Sequence, residues 1–206
     1  MNPSRFSKTR KGSLIPLPET IKMWGVCFSL GALFLIAALI LWGQQEIDTG
    51  ILFHFNPMRM AADPLVQLSK WFSSYGMAAI TMIFVIYLAL SKKIKSLDAP
   101  LTVYFYTICS FGISGIAGDL LKLVFSRPRP LTTFGSEIIV WSDSTAKAFP
   151  SGHATKSIAL VLPFILLVSH KKVLHKGLKI IIYLIAVGVC LSRIILGAHY
   201  LSDVIA

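Results

Sequence analysis

The stretch SRIILGAHYLSD, Ser192 to Asp203, holds a histidine and a carboxylate four residues apart, His199 and Asp203. Along a continuous helix that spacing sets both on one face, within reach of each other. A carboxylate partner fixes an imidazole's tautomer and turns its other nitrogen outward as a base or nucleophile. Arg193, near the start of the block, adds a cation. In AFPSGHATKS, Pro150 suits the first turn of a helix, and Ser151 and Gly152 leave backbone N–H groups open to an anion. His153 in that turn can donate a proton to the same anion. Lys156, one turn on, adds charge or snorkels to the headgroups. In KLVFSRPRP, Lys122 rides the last turn of a helix, and Pro128 and Pro130 hold Arg127 and Arg129 on a stiff, extended loop. Guanidinium groups there match an anion with several oxygens.

These blocks are distant in sequence, so the fold must gather them. The chain is 55% hydrophobic and 14% charged, with mean hydropathy +0.72. That is the composition of an integral membrane protein. We expect an all-α, polytopic bundle with five spans, at about 23–42, 74–91, 101–118, 154–169 and 178–193, plus the start of a sixth. Basic clusters at Arg5 to Lys22, Lys92 to Lys95 and Lys171 to Lys179 fall on one side of this alternating layout. By the positive-inside pattern that side is cytoplasmic, which puts all three polar blocks on the opposite face. The same distribution explains the net charge of +11 without nucleic acid. The first apolar run starts late and lacks a small-x-small site after it, so we expect a retained span and not a cleaved signal. Residues 1–22 then form a cytoplasmic segment and 23–206 a single membrane domain.

Other features read as structure. Ala61, Leu65, Leu68 and Phe72 recur at helical spacing and suggest a short interfacial helix, with His54 and Arg59 in surface roles. Trp24 and Trp42 bracket the first span as headgroup anchors. Gly112, Gly115 and Gly118 form a stripe for close helix packing. Cys27, Cys109 and Cys190 are spaced for neither disulfides nor a metal. Asp119, three residues from Lys122, tethers it.

The three blocks resemble the type 2 phosphatidic acid phosphatase superfamily, whose pattern is Lys-x6-Arg-Pro, Pro-Ser-Gly-His and Ser-Arg-x5-His-x3-Asp. Here these are Lys122 with Arg129-Pro130, Pro150 to His153, and Ser192-Arg193 with His199 and Asp203. Chance would assemble all three with a probability on the order of 10⁻⁸. The resemblance implies a six-helix bundle with its site at the outer face and a metal-independent reaction, without cofactor, through a phosphohistidine. It implies that His199 attacks phosphorus, Asp203 orients it, and His153 protonates the leaving oxygen. Lys122, Arg129, Arg193, Ser151 and the Gly152 backbone would hold the phosphate. The implied partners are a phosphorylated lipid and the surrounding membrane lipids, with no nucleic acid, and the implied location is a bacterial inner membrane with a periplasmic site. Lipid-to-lipid phosphotransfer and non-catalytic anion binding or transport are the competing readings. From His199 to Ala206 is about 12 Å of helix, so we expect the sixth span to be only begun within these residues.

Overall fold

A computed structural model describes residues 17–56, 63–93, 101–135, 147–167 and 173–206. The described residues form helices α1 (Leu17–Gly43), α2 (Gln45–Phe55), α3 (Pro64–Lys93), α4 (Leu101–Phe125), α5 (Pro130–Phe134), α6 (Gly152–Leu167), α7 (Val173–Ile195) and α8 (Leu201–Ile205). No strand occurs among them.

A described helix overlaps each of the five expected spans, with residues 168 and 169 of the fourth outside the described residues. Among the described residues, two stretches qualify as crossings by length and composition, Val103–Phe134 and Lys176–Ile195, or three if Phe28–Gly43 and Gln45–Phe55 form one span bent by 92°. α3 is long enough at 30 residues but carries Gln67, Lys70, Ser73 and Ser74 in its first turns, and α6 has only 16 residues. The outer surface is that of a membrane protein. Phe105, Ile108, Ile113, Ile116, Leu123 and Val124 of α4 are exposed, while Arg127, Ser151, Arg193, His199 and Asp203 are buried. A soluble domain would invert that distribution.

Two expectations are corrected. The interfacial helix expected near 61–72 is the continuous start of α3, initiated by Asp63, whose carboxylate accepts the Leu65 N–H at 2.8 Å, and by Pro64 at the first helical position. The short bent helix is α2 instead, where His54 is exposed; Ala61 and Arg59 lie outside the described residues. The glycine stripe of α4 also serves differently. A Cβ at Gly112 or Gly118 would meet nothing within 4 Å, and one at Gly115 would meet the Lys156 side chain at 3.3 Å. Close packing falls at α3 and α7, where Gly76 lies under Val189 and Gly188 lies under the Phe72 ring.

That contact gives a stability prediction. A Cβ at Gly188 would sit 2.6 Å from the Phe72 ring. Gly188→Ala should therefore cost about 1–3 kcal/mol through overpacking, seen as a lower unfolding temperature in detergent. Gly112→Ala is the control that should show no loss.

The core beneath the site joins α3, α4, α6 and α7 through Ile80, Phe84, Val103, Leu160, Phe164 and Ile182. Phe84 and Tyr87 contact the Phe164 ring with centroids 5.1 and 5.2 Å away. Lys179, expected in a cytoplasmic cluster, is buried and donates to the Ile165 carbonyl at 2.6 Å. It satisfies one of the acceptors that the end of α6 leaves open. Trp42 is also turned inward, stacked on Phe149 at 5.4 Å; the Trp24 side chain lies outside the described residues. Cys109 and Cys190 are free thiols, and the Cys27 side chain lies outside the described residues.

Candidate active site

The helix expected to run unbroken from Arg193 to Asp203 is broken between them. α7 ends at Ile195, and Gly197 takes a positive φ of 67°. Gly197 N–H donates to the Ile194 carbonyl at 2.9 Å and Ala198 N–H to the Arg193 carbonyl at 3.0 Å. This is the Schellman termination, in which glycine alone avoids strain. His199 N–H donates to the same Arg193 carbonyl at 3.1 Å. The turn thus brings Arg193 and His199 together although six residues separate them.

α8 restarts immediately afterwards, and Asp203 in its first turn accepts the Tyr200 N–H at 3.0 Å. The same carboxylate oxygen lies 3.4 Å from His199 Nδ1. The expected histidine–carboxylate pair therefore forms through a capping turn, not through a shared helix face. Asp203 lies at ion-pair distance from Nδ1 without hydrogen-bond geometry, so the carboxylate stands on the Nδ1 side of the ring and Nε2 is the nitrogen away from it. His199 is 1% exposed. Burial, reinforced by Arg129 and Arg193 and opposed by Asp203, pushes its pKa down to about 4. The imidazole is neutral at physiological pH.

Arg127 is placed unlike Arg129. It is buried, donating through Nη1 to Asp203 Oδ1 at 2.7 Å and to Ser202 Oγ at 2.5 Å, and through Nη2 to Asp48 Oδ2 at 2.8 Å. Its guanidinium lies 5.0 Å from the Trp42 ring and 4.0 Å from the Tyr200 ring. Asp48, from α2, also accepts the Ser202 N–H at 3.1 Å and the Ser202 hydroxyl. Arg127 is thus a clamp joining α2, the proline loop and α8. Neither role of this Arg127–Asp48 pair is legible from the motif spacing.

α6 begins at Gly152, after a cis Phe149–Pro150 bond, so Pro150 precedes the helix and does not occupy its first turn. Nor is the Ser151 amide open, since it donates to the Asp203 carbonyl at 2.7 Å. Ser151 Oγ, by contrast, is fully buried with no hydrogen-bond partner among the described residues, as expected of a hydroxyl built to meet a ligand. A Cβ on Gly152 would lie 3.3 Å from Lys122 Nζ. That ammonium therefore sits over the helix start, where an anion would bind. Lys122 also pairs with Asp119 at 3.6 Å, the tether expected from their spacing.

Burial, and then the charges of Arg193, Arg129 and Lys156, push the His153 pKa down to about 4. Arg129 caps the start of α5 with extended backbone, and its Nη1 lies 3.5 Å from the Ala198 carbonyl. Arg193 Nη1 contacts the Ser73 hydroxyl of α3. A cavity of about 310 Å³ opens beside this group, lined by Lys70, Ser73, Ser74, Met77, His153, Arg193 and Leu196. Among the described residues, no group of three His, Cys, Asp or Glu side chains gathers as a metal site.

Residues 100–206 match the family described as the PAP2 superfamily. The chain belongs to this superfamily. It is accordingly a membrane phosphatase acting on lipid phosphates. A curated relative, the undecaprenyl-diphosphatase of Sulfolobus acidocaldarius, is 26% identical over 185 residues, covering 84% of this chain and 80% of its own. The crystal structure of a transmembrane PAP2-type phosphatidylglycerolphosphate phosphatase from Bacillus subtilis superposes with a TM-score of 0.61 at 24% identity, covering 86% of each chain. At that identity the likeness speaks for the fold.

In this PAP2 member the α3 wall of the cavity is the part that motif reading missed. Its signal was nonetheless present: Lys70, Ser73 and Ser74 stand at i, i+3 and i+4, a polar stripe on one helix face that continues into Met77 at i+7.

Proposed function

We propose that this PAP2 phosphatase hydrolyses a lipid phosphomonoester or diphosphate through a phosphohistidine, at the non-cytoplasmic face of the cell membrane. A bacterial inner membrane with the site on the periplasmic side fits the sequence positions of the basic clusters, which precede the first expected span and follow the second and fourth. The relatives named for undecaprenyl diphosphate and phosphatidylglycerolphosphate support that substrate range.

The observation that carries the reading is the double engagement of Asp203. Its carboxylate stands 3.4 Å from His199 Nδ1 while its carbonyl accepts the Ser151 amide. One residue therefore adjoins both the proposed nucleophile and the helix start at which a phosphate would sit.

In the first step His199 Nε2 forms a bond to phosphorus, and the bond from phosphorus to the leaving oxygen breaks. His153 gives its proton to that oxygen. Water then attacks the phosphohistidine, His153 takes a proton back, and orthophosphate leaves as His199 is restored. Lys122, Arg129 and Arg193 neutralise the equatorial oxygens, with Ser151 Oγ and the Gly152 amide as donors. Phosphoryl transfer asks mainly for such positioning and charge.

The test is phosphate release from a panel of lipid phosphates by the detergent-solubilised chain, with chelator present and an acceptor lipid in a parallel arm. Chelator-resistant release of orthophosphate supports hydrolysis. Transfer of the label to the acceptor lipid would replace it with the phosphotransferase reading. Anion binding without any turnover would leave only a carrier or binding role.

A further inference from the structure

We infer that the α3 wall is a second anion subsite, on the leaving-group side of the reacting phosphate, with Lys70 taking a second phosphate of a diphosphate substrate. The inference rests on the phosphatase reading above and narrows its substrate class.

His153, the proton donor to the leaving oxygen, lines the 310 Å³ cavity, and His199 does not. Nucleophile and leaving group stand on opposite sides of phosphorus in an in-line displacement. The cavity is therefore where the leaving group goes. Two cations, Lys70 and Arg193, line it, and among the described residues no carboxylate does. Ser73 and Ser74 supply hydroxyls on the same wall, with Ser73 in contact with Arg193.

Lys70 sits a turn and a half into α3, at the end of the bundle that carries the other site residues. Lys70 precedes the span expected at 74–91, which sets it at the edge of the membrane, the level at which a lipid presents its phosphates. A neutral alcohol leaving group such as diacylglycerol would gain nothing from it. A lipid monophosphate leaving from a diphosphate carries charge that must be neutralised where it departs, and an ammonium with flanking hydroxyls matches it. Lys122 and Arg129 do not line this cavity. They serve the transferred phosphate, and the two phosphates thus have separate cations.

The experiment compares Lys70→Met and Lys70→Arg with the unmodified full chain in detergent. Binding of inorganic diphosphate and orthophosphate is measured by calorimetry, and kcat/KM is measured on a polyprenyl diphosphate and on phosphatidic acid. The unmodified chain should bind diphosphate about tenfold or more tighter than orthophosphate, a preference that Lys70→Met loses and Lys70→Arg keeps. Lys70→Met should lower kcat/KM on the polyprenyl diphosphate by about 10- to 100-fold, the range of a charged hydrogen bond, and leave phosphatidic acid within about threefold. Absence of the diphosphate preference in the unmodified chain, or its survival in Lys70→Met, would overturn the subsite. Loss of preference without turnover of any lipid would uphold the subsite and defeat the phosphatase reading. Turnover with a preference indifferent to Lys70 would do the reverse.

Discussion

His199→Ala should abolish phosphate release, lowering kcat by about 10⁴-fold or more while anion binding persists, because a nucleophile has no substitute in the remaining site. The Arg129, Arg193 and Lys122 cations do not depend on the imidazole, so orthophosphate should still protect the variant against thermal unfolding. Acid-labile, alkali-stable label on the unmodified chain after a rapid quench with labelled substrate, absent from the variant, would identify the phosphohistidine. Label on another residue, or turnover surviving the substitution, would sink the assignment. The same histidine sets a pH limb. Its pKa is pushed down to about 4, and the neutral form is the one that attacks. Activity should therefore hold as pH falls through the ordinary histidine range near 6.5 and fail only as pH approaches about 4, once the ionisation of the substrate is allowed for. A kcat/KM limb at the ordinary value would mean that water reaches the imidazole in the free enzyme. Burial and the charges of Arg193, Arg129 and Lys156 push the His153 pKa down to about 4 as well, so its role as proton donor requires the negative charge of a bound phosphate to restore its proton. The high-pH limb that it sets then belongs to kcat and not to kcat/KM.

How much of this was legible in advance follows from what motif spacing encodes. Spacing along the chain picked out His199, Asp203, His153, Arg193, Ser151, Gly152, Lys122 and Arg129, because charged and hydroxyl residues are conspicuous in an apolar sequence. It misjudged how His199 reaches Asp203. The i, i+4 rule assumes helix, and Gly197 between them was a termination signal that outweighs it. It also treated Arg127 and Arg129 as equivalent cations. Two arginines on one proline-stiffened loop point to opposite sides of it, and only tertiary packing decides which faces the ligand. Asp48 was invisible for a related reason. It lies more than seventy residues from its nearest partner in sequence, in a helix that bends 92° away from α1, and hydropathy carries no information about such a bend. The glycine stripe of α4 failed because a glycine marks room for a neighbour without naming it. Gly115 makes room for the Lys156 side chain, not for a helix backbone.

Arg127→Met should cost about 3–5 kcal/mol of stability, the penalty for leaving buried charges without their partner. It should also lower kcat by more than it raises KM. Asp48 and Asp203 are both 0% exposed, and Arg127 bridges them with one guanidinium nitrogen on each. Removing it leaves two carboxylates in a low-dielectric interior. The remaining donors, Ser202 and the Tyr200 amide, are neutral. Lysine cannot repair this, since a single ammonium lacks the planar fork that reaches both acids and lies against the Trp42 and Tyr200 rings. The catalytic loss follows from Asp203. Without the clamp its carboxylate is free to rotate away from His199 Nδ1, so the nucleophile loses its tautomer and aim while the phosphate cations stay in place. Removing the charge on both sides tests the cause. Arg127→Met with Asp48→Asn should be more stable than Arg127→Met alone, because one of the two orphaned charges is gone. Arg129→Met is the counterpart, expected to unfold near the unmodified temperature yet to lose substrate affinity and rate together. If Arg127→Met instead unfolds like the unmodified chain and changes only KM, Arg127 is a phosphate ligand and the buried clamp is not what holds the nucleophile.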